Sequence, residues 1–148
     1  MKETLSLKGK WHIEIREKGK TVKTIELFNT LTNAYRQEIL KNLQGIGESL
    51  SIKYIAVGTD ATPSEKTDTA LGNEIFRSVP TSKTVGDGYM RTIWVLTNEQ
   101  ANDHLRELGV IIGNADGVSG ILMSRVNIDI NKNDSQEVVF IRDDFVRI

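Results

Sequence analysis

The feature that most constrains the fold is a strict alternation of apolar and polar residues in short segments. Residues 5–15 show it clearly, because one face carries only apolar side chains and the other carries polar ones. The apolar face consists of Leu5, Leu7, Trp11, Ile13 and Ile15, with Gly9 as an interruption. A period of two residues is that of a β-strand with one buried face. The sequence therefore predicts a fold built mainly from sheets.

Similar segments recur at intervals of roughly 8–12 residues, each bounded by glycine-rich or polar turns, as in antiparallel β-sandwiches. Glu17-Lys18-Gly19-Lys20 and Val85-Gly86-Asp87-Gly88 are typical hairpin turns. Residues 52–57 form a continuous apolar run, which predicts a strand buried on both faces. The predicted strands are residues 5–15, 21–28, 52–57, 74–84, 89–97, 105–112, 121–130 and 138–148.

One α-helix is predicted near residues 32–45. Asn29 to Thr32 supply oxygens that accept the free N–H groups of a first helical turn, and Gly45 and Gly47 end the helix. An apolar stripe at helical spacing predicts that this helix packs on a sheet, and we expect it to cover residues 52–57. The stripe consists of Tyr35, Ile39, Leu40, Leu43 and Ile46.

Length and composition predict a single antiparallel β-sandwich domain over residues 1–148. Hydrophobic residues make up 39% and charged residues 26% of the chain, which are ordinary globular values. The net charge of −1 gives no electrostatic reason to expect nucleic acid or an anionic membrane as a partner. No cysteine is present, which excludes disulfides and thiolate metal sites. The start of the chain does not resemble a signal peptide, and no apolar run approaches the roughly 20 residues that span a bilayer.

The long polar loop at residues 58–74 offers no recognisable ligand site. Asp60, Glu65 and Asp68 do not have the spacing of a calcium loop, so we expect Asp68 to cap or close a turn. Gly58-Thr59 and the glycines of residues 85–88 lack the helix and lysine of a phosphate-binding loop. We therefore expect neither a metal nor a cofactor.

Catalytic residues are also missing from the pattern. His12 lies on the polar face of a predicted strand, and His104 lies near Asp103 and Glu107, where an acid–base pair can be imagined. A nucleophile in a recognisable context is not available to complete such a site. The sequence predicts a protein that is not an enzyme. Asp143 and Asp144 are expected on opposite faces of the last strand, in ion pairs across strands or between subunits.

A series of short motifs follows the central apolar run. They consist of Gly58, Thr59, Pro63, Asp68, Thr69, Leu71, Glu74, Arg77, Glu107, Gly109, Gly120, Leu122, Arg125 and Lys132. Their order resembles a group of virion structural proteins of tailed bacteriophages. In that group a "GTG-T-x-P" stretch leads to "D-T-x-L-x-x-E-x-x-R", and an "E-x-G" strand, a "G-x-L-x-x-R" strand and a lysine-containing turn follow. The present chain departs from this pattern at Asp60, where a glycine is common, and at residues 110–112, where Leu-Phe is common.

The resemblance implies a structural role in a virion assembled in the host cytoplasm. The expected partners are other copies of the chain and neighbouring virion proteins. Asp68, Glu74, Arg77, Glu107 and Arg125 are candidate inter-subunit contacts. Two interpretations of them stay open, because such charges either pair on the sheet of one chain or bridge two subunits.

Three placements follow from the same resemblance. The first is an adaptor or attachment domain of the tail or baseplate-fibre region, and the second is a capsid decoration protein. The third is a carbohydrate- or receptor-binding module that contacts a host-surface glycan. The third placement needs exposed aromatic side chains, and Tyr89 and Trp94 are its clustered candidates, although their strand pattern favours the core.

Overall fold

Two five-stranded antiparallel sheets form a mainly β sandwich in the computed structural model, which describes residues 4–114, 116–117 and 119–148. The strands are β1 (Ser6–Glu17), β2 (Lys20–Phe28), β3 (Thr30–Leu31), β4 (Ile52–Gly58), β5 (Glu74–Ser78), β6 (Ser82–Gly86), β7 (Tyr89–Leu96), β8 (His104–Ile112), β9 (Ile121–Asn131) and β10 (Glu137–Arg147), and helix α1 spans Asn33–Leu43. The first sheet has the order β2-β1-β10-β7-β6, and the second has the order β3-β9-β8-β4-β5. The predicted fold class is confirmed. The extent of one domain over residues 1–148 stays a prediction, since residues 1–3, 115 and 118 lie outside the described chain.

The core lies between the two sheets and is built by the alternating apolar positions. Trp11 and Ile13 of β1 are fully buried, as the alternation in residues 5–15 predicts. The ring centroid of Trp11 lies 5.8 Å from that of Trp94 and 6.3 Å from that of Phe140. Leu108 and Val110 belong to the same core cluster and come from the second sheet. Aromatic rings of one sheet therefore pack on aliphatic side chains of the other.

The prediction of one strand over residues 74–84 is wrong, because the chain changes sheets there. β5 pairs with β4 in the second sheet, whereas β6 pairs with β7 in the first. Pro80 lies between β5 and β6, and a proline has no N–H group to continue a ladder of hydrogen bonds. The hairpin through residues 85–88 is confirmed by the pairing of Gly86 with Tyr89.

Helix α1 begins and ends as predicted, but its apolar stripe is not buried. The N–H of Tyr35 donates to Thr32 Oγ1 over 3.1 Å, and Gly45 has a φ of +76° at the end of the helix. Leu40, Leu43 and Ile46 are 51%, 76% and 77% exposed. The prediction that the stripe packs on a sheet is therefore wrong for these three side chains.

The physical reason lies in two polar side chains of the same helix. Glu38 is buried, and its carboxylate accepts the backbone N–H of Glu48. Asn42 Nδ2 donates to the carbonyl oxygens of Glu38 and Glu48 over 2.9 and 2.7 Å. These bonds hold residues 44–48 back along the helix. The covered side of the helix therefore makes polar contacts instead of the apolar contacts that the stripe predicts.

Strand β4 is buried on both faces, as its apolar run predicts. Ile55 and Val57 point into the main core, and Ala56 points to the opposite face. Leu71 of the long loop covers Ala56, in place of the expected helix.

We expect Phe140→Ala to lower the free energy of unfolding by about 3–5 kcal/mol, because a fully buried ring is replaced by a cavity. Val79 is 62% exposed, and Val79→Ala is the control, with an expected change below about 0.5 kcal/mol. Chemical denaturation of both variants measures the difference. Equal losses in the two variants would contradict the assignment of the core.

Candidate functional site

The carboxylate of Glu107 is the best-connected polar group on the outer face of the second sheet. Glu107 belongs to β8 and is completely buried. Its Oε1 accepts Arg125 Nε over 3.0 Å and the N–H of Gly72 over 2.7 Å. Its Oε2 accepts the N–H groups of Asp60 and Asn73 over 3.1 and 2.8 Å. Four donors therefore compensate for the lost hydration of this charge.

Arg125 of β9 extends the same cluster to the middle of the loop. The side chain is buried, and Nη1 lies 3.3 Å from Asp68 Oδ2. Nη2 lies 3.8 Å from Asp60 Oδ2 and donates to the Asp60 carbonyl oxygen over 3.5 Å. We call Asp60, Asp68, Glu107 and Arg125 the loop anchor, because they fasten residues 59–73 to the sheet.

Two glycines allow the loop to approach the anchor closely. A Cβ atom at Gly58 would lie 2.3 Å from the carbonyl oxygen of Asn73 and 2.4 Å from Glu107 Oε2. A Cβ atom at Gly72 would lie 1.8 Å from Asp60 Oδ2. Both positions therefore exclude any side chain.

Hydrogen bonds and packing hold the rest of the loop. Asn127 Oδ1 accepts the N–H of Ser64 over 2.7 Å, and its Nδ2 donates to the carbonyl oxygen of Thr62 over 2.9 Å. The predicted role of Asp68 as a turn residue is confirmed, because Asp68 Oδ2 accepts the N–H of Glu65 over 2.9 Å. Leu71 packs in a small second core with Ala56, Ile111 and Leu122.

Glu74 and Arg77 form a separate pair at the edge of the second sheet. Arg77 Nη2 lies 3.2 Å from Glu74 Oε1, and Nη1 donates to the carbonyl oxygen of Ser119 over 2.7 Å. The guanidinium also lies over the ring of Tyr54, 5.8 Å from its centroid. All five predicted contact residues thus have partners within their own chain, and their role between subunits stays a prediction.

A second buried cluster, on Arg142, connects the two sheets. Arg142 of β10 is fully buried, and its Nη1 donates to Ser124 Oγ of β9 over 2.8 Å and to Asn29. Its Nη2 lies 2.8 Å from Asp144 Oδ1. The guanidinium carbon lies 5.2 Å from the centroid of Trp11.

The sequence contains one signal of this cluster, the glycine that interrupts the alternation of β1. A Cβ atom at Gly9 would lie 2.1 Å from Asn29 Nδ2 and 2.7 Å from Arg142 Nη2. Asp144 belongs to this buried cluster, whereas Asp143 pairs with Arg91 across the strands over 2.8 Å. The expected placement of Asp143 and Asp144 on opposite faces is therefore confirmed.

Lys132 fastens the loop at the opposite end of the sandwich. Its Nζ donates to the carbonyl oxygen of Thr97 over 2.9 Å and to Asn102 Oδ1 over 2.6 Å. The side chain is 3% exposed, and this burial lowers the pKa of Lys132 below its usual range. Lys132 therefore has a structural role within the chain.

The ring nitrogens of both histidines contact carboxylates near the protein surface. His12 Nδ1 lies 2.8 Å from Glu26 Oε1, and His12 Nε2 lies 3.2 Å from Glu14 Oε2. His104 Nε2 lies 2.5 Å from Asp129 Oδ1, so the imagined pairing of His104 with Glu107 is wrong. Among the described residues, no group of three or more His, Asp or Glu side chains could hold a metal ion.

An apolar groove opens between the two sheets at the end where β1 begins and β10 ends. Its volume is about 300 Å³, and Leu7 and Met90 of the first sheet face Leu31 and Met123 across it. Lys8, Tyr35 and Asp144 are among its lining residues with polar side-chain groups. Burial and the nearby Asp144 carboxylate raise the pKa of Tyr35, so its phenol stays protonated at neutral pH. This groove can hold an apolar group with one polar atom.

Comparison of the chain with protein-family models, curated proteins and solved structures gave no match. Within residues 4–114, 116–117 and 119–148, no helix has the length and apolar character needed to cross a membrane.

We expect Glu107→Gln to lower the free energy of unfolding by about 2–4 kcal/mol, because an amide NH₂ would face N–H donors in a buried site. The matched control is Glu74→Gln, which alters a partly exposed pair and should cost at most about 1 kcal/mol. Chemical denaturation gives the free energies, and hydrogen exchange at Gly72 and Asn73 reports release of the loop. A loss in Glu107→Gln no larger than the control would disprove the anchor.

A second prediction concerns the protonation of Asp60 at low pH. Hydrogen bonds from the N–H and hydroxyl of Thr62, and more weakly the charge of Arg125, lower the pKa of Asp60 below its usual value of 3.8. The stabilisation from ionised Asp60 is therefore complete above pH 3.8 and is lost as the pH falls through the lowered pKa. We expect the amide resonance of Thr62 to titrate with a midpoint below 3.8. Asp60→Asn should abolish that titration, and a midpoint at or above 3.8 in the unmodified chain would contradict the expected shift.

Proposed function

We propose that the chain is a structural protein of a tailed-bacteriophage virion. In this proposal it is an adaptor or attachment domain of the tail or baseplate-fibre region, and it acts by self-association and by contacts with neighbouring virion proteins. Its place of action is the particle, after assembly in the host cytoplasm.

The observation that carries the proposal is the convergence of the motif residues in space. Gly58, Asp68, Glu107 and Arg125 are distant in sequence, and they meet at the loop anchor or beside it. Gly109 completes the group, because a Cβ atom there would lie 2.9 Å from side-chain atoms of Leu71 and Leu122. Seven of the fourteen residues that resemble the phage group thus build one structural unit, once Leu71 and Leu122 are counted with these five. This convergence supports a fold shared with the phage group. The structural role that the resemblance implies follows from such a shared fold.

The chemistry of the anchor also suits a structural role. Each oxygen of Glu107 already accepts two hydrogen bonds, and Arg125 is covered by its own chain. A charge so fully paired holds a fixed loop against the sheet. A rigid loop over a sheet can present a constant surface to many identical neighbours, as a symmetric particle requires.

The capsid decoration protein remains the alternative placement, because a rigid sandwich with a fixed loop would serve on a shell equally well. The glycan-binding alternative has lost one of its two candidates, since Trp94 is fully buried in the core. Tyr89 is 41% exposed, and its ring lies 6.0 Å from that of Phe145. The exposed ring of Tyr89, beside the half-buried Phe145, is the observation that keeps a sugar-stacking role as a hypothesis.

The test is to search for the chain in purified particles. Virions from the source culture, separated on a density gradient, should contain its peptides by mass spectrometry at levels comparable with those of other structural proteins. Gold-labelled antibodies in electron micrographs should then mark the tail, whereas labelling of the head would support the decoration alternative. Recovery of the chain only in the particle-free fraction would overturn the proposal.

A further inference from the structure

The end of the sandwich that carries the open groove also carries a concentration of uncovered apolar side chains. Leu5, Val85, Val146 and Ile148 are 63%, 86%, 49% and 103% exposed. Strand pairing brings them together, because Leu7 pairs with Val146, and Val85 pairs with Met90. We call Leu5, Leu7, Val85, Met90, Val146 and Ile148 the open end.

The alternation of β1 explains why these side chains lie at the groove. Leu5 and Leu7 have the same parity as Trp11 and Ile13, so they belong to the core face of the first sheet. Leu31, Tyr35 and Met123 form the opposite wall of the groove. The groove therefore leads into the core from this end. An exposed apolar surface of this kind is typical of a site of contact with another molecule.

Two exposed side chains of opposite charge flank the open end. Lys8 of β1 borders one side, and Asp87 of the β6–β7 turn borders the other, with β10 and β7 between them. Both residues are exposed, and neither forms an ion pair with any described residue. A two-fold axis perpendicular to the first sheet would bring Lys8 of one copy opposite Asp87 of the other, and the reverse contact follows by symmetry.

We propose that two copies of the chain associate end to end through their open ends, with Lys8 of each copy paired with Asp87 of the other. Leu5 and Ile148 of one copy then contact Val85 of its neighbour, and each copy closes the groove of the other. The occupant of the groove is thus a second copy of the chain. This inference rests on the proposed function in one respect, because both require that copies of the chain associate with one another.

The test uses charge reversal and complementation. Asp87→Lys and Lys8→Glu each place like charges on both symmetric contacts, so each variant alone should dimerise at least about tenfold more weakly than the unmodified chain. A mixture of the two variants restores opposite charges at both contacts and should form a heterodimer. Sedimentation equilibrium over a range of protein concentration measures all four samples.

Matched controls come from the other end of the sandwich. Asp134→Lys and Lys20→Glu make the same charge changes at exposed positions there, and their dimers should keep the affinity of the unmodified chain. A monomer at every concentration, or an assembly that Asp87→Lys and Lys8→Glu leave unchanged, would overturn the inference. Failure of the mixture to associate more strongly than either variant alone would overturn it as well.

The two proposals fail in distinguishable ways. A chain found in virions but strictly monomeric when purified leaves the proposed function in place and removes the end-to-end dimer. A charge-dependent dimer that is absent from virions does the opposite.

Discussion

The buried carboxylate of Glu107 is the interaction on which the outer half of the structure depends. Moving an ionised carboxylate out of water costs on the order of several kcal/mol in real proteins, and only good hydrogen bonds offset that cost. Here three of its four donors are backbone N–H groups of the loop, from Asp60, Gly72 and Asn73. The loop therefore supplies both the cover that buries this charge and most of the donors that satisfy it.

The same requirement explains the sequence around the loop. Gly58 and Gly72 lie where the backbone passes within contact distance of Glu107 and Asp60. Leu71 inserts its side chain into the small core beneath the loop, so apolar packing and the ion cluster act at adjacent positions. The backbone N–H groups of the loop itself occupy three of the four hydrogen bonds that Glu107 accepts.

Much of the fold follows from local pattern, and its failures have physical causes. Alternation identified β1, and a continuous apolar run identified β4, because a strand buried on one face and a strand buried on both faces leave different patterns in the sequence. The stripe on α1 misled because Glu38 and Asn42 bind the returning backbone, a contact without periodicity. For the two buried ion clusters, the sequence analysis identified some of the charged residues and the strands that carry them. Their convergence depends on strand order, which single-sequence patterns do not contain.

The two buried arginines are satisfied within their own chain and serve its shape. Arg125 is enclosed by carboxylates of its own chain, and Arg142 is satisfied by Asp144, Asn29 and Ser124. Charges paired this completely have little capacity left for a partner, so they fix shape. The first sheet, by contrast, ends in exposed apolar side chains and in Lys8 and Asp87, each without an ion partner among the described residues. The interior of this molecule therefore sets its geometry, and the open end is the surface through which the proposed association would occur.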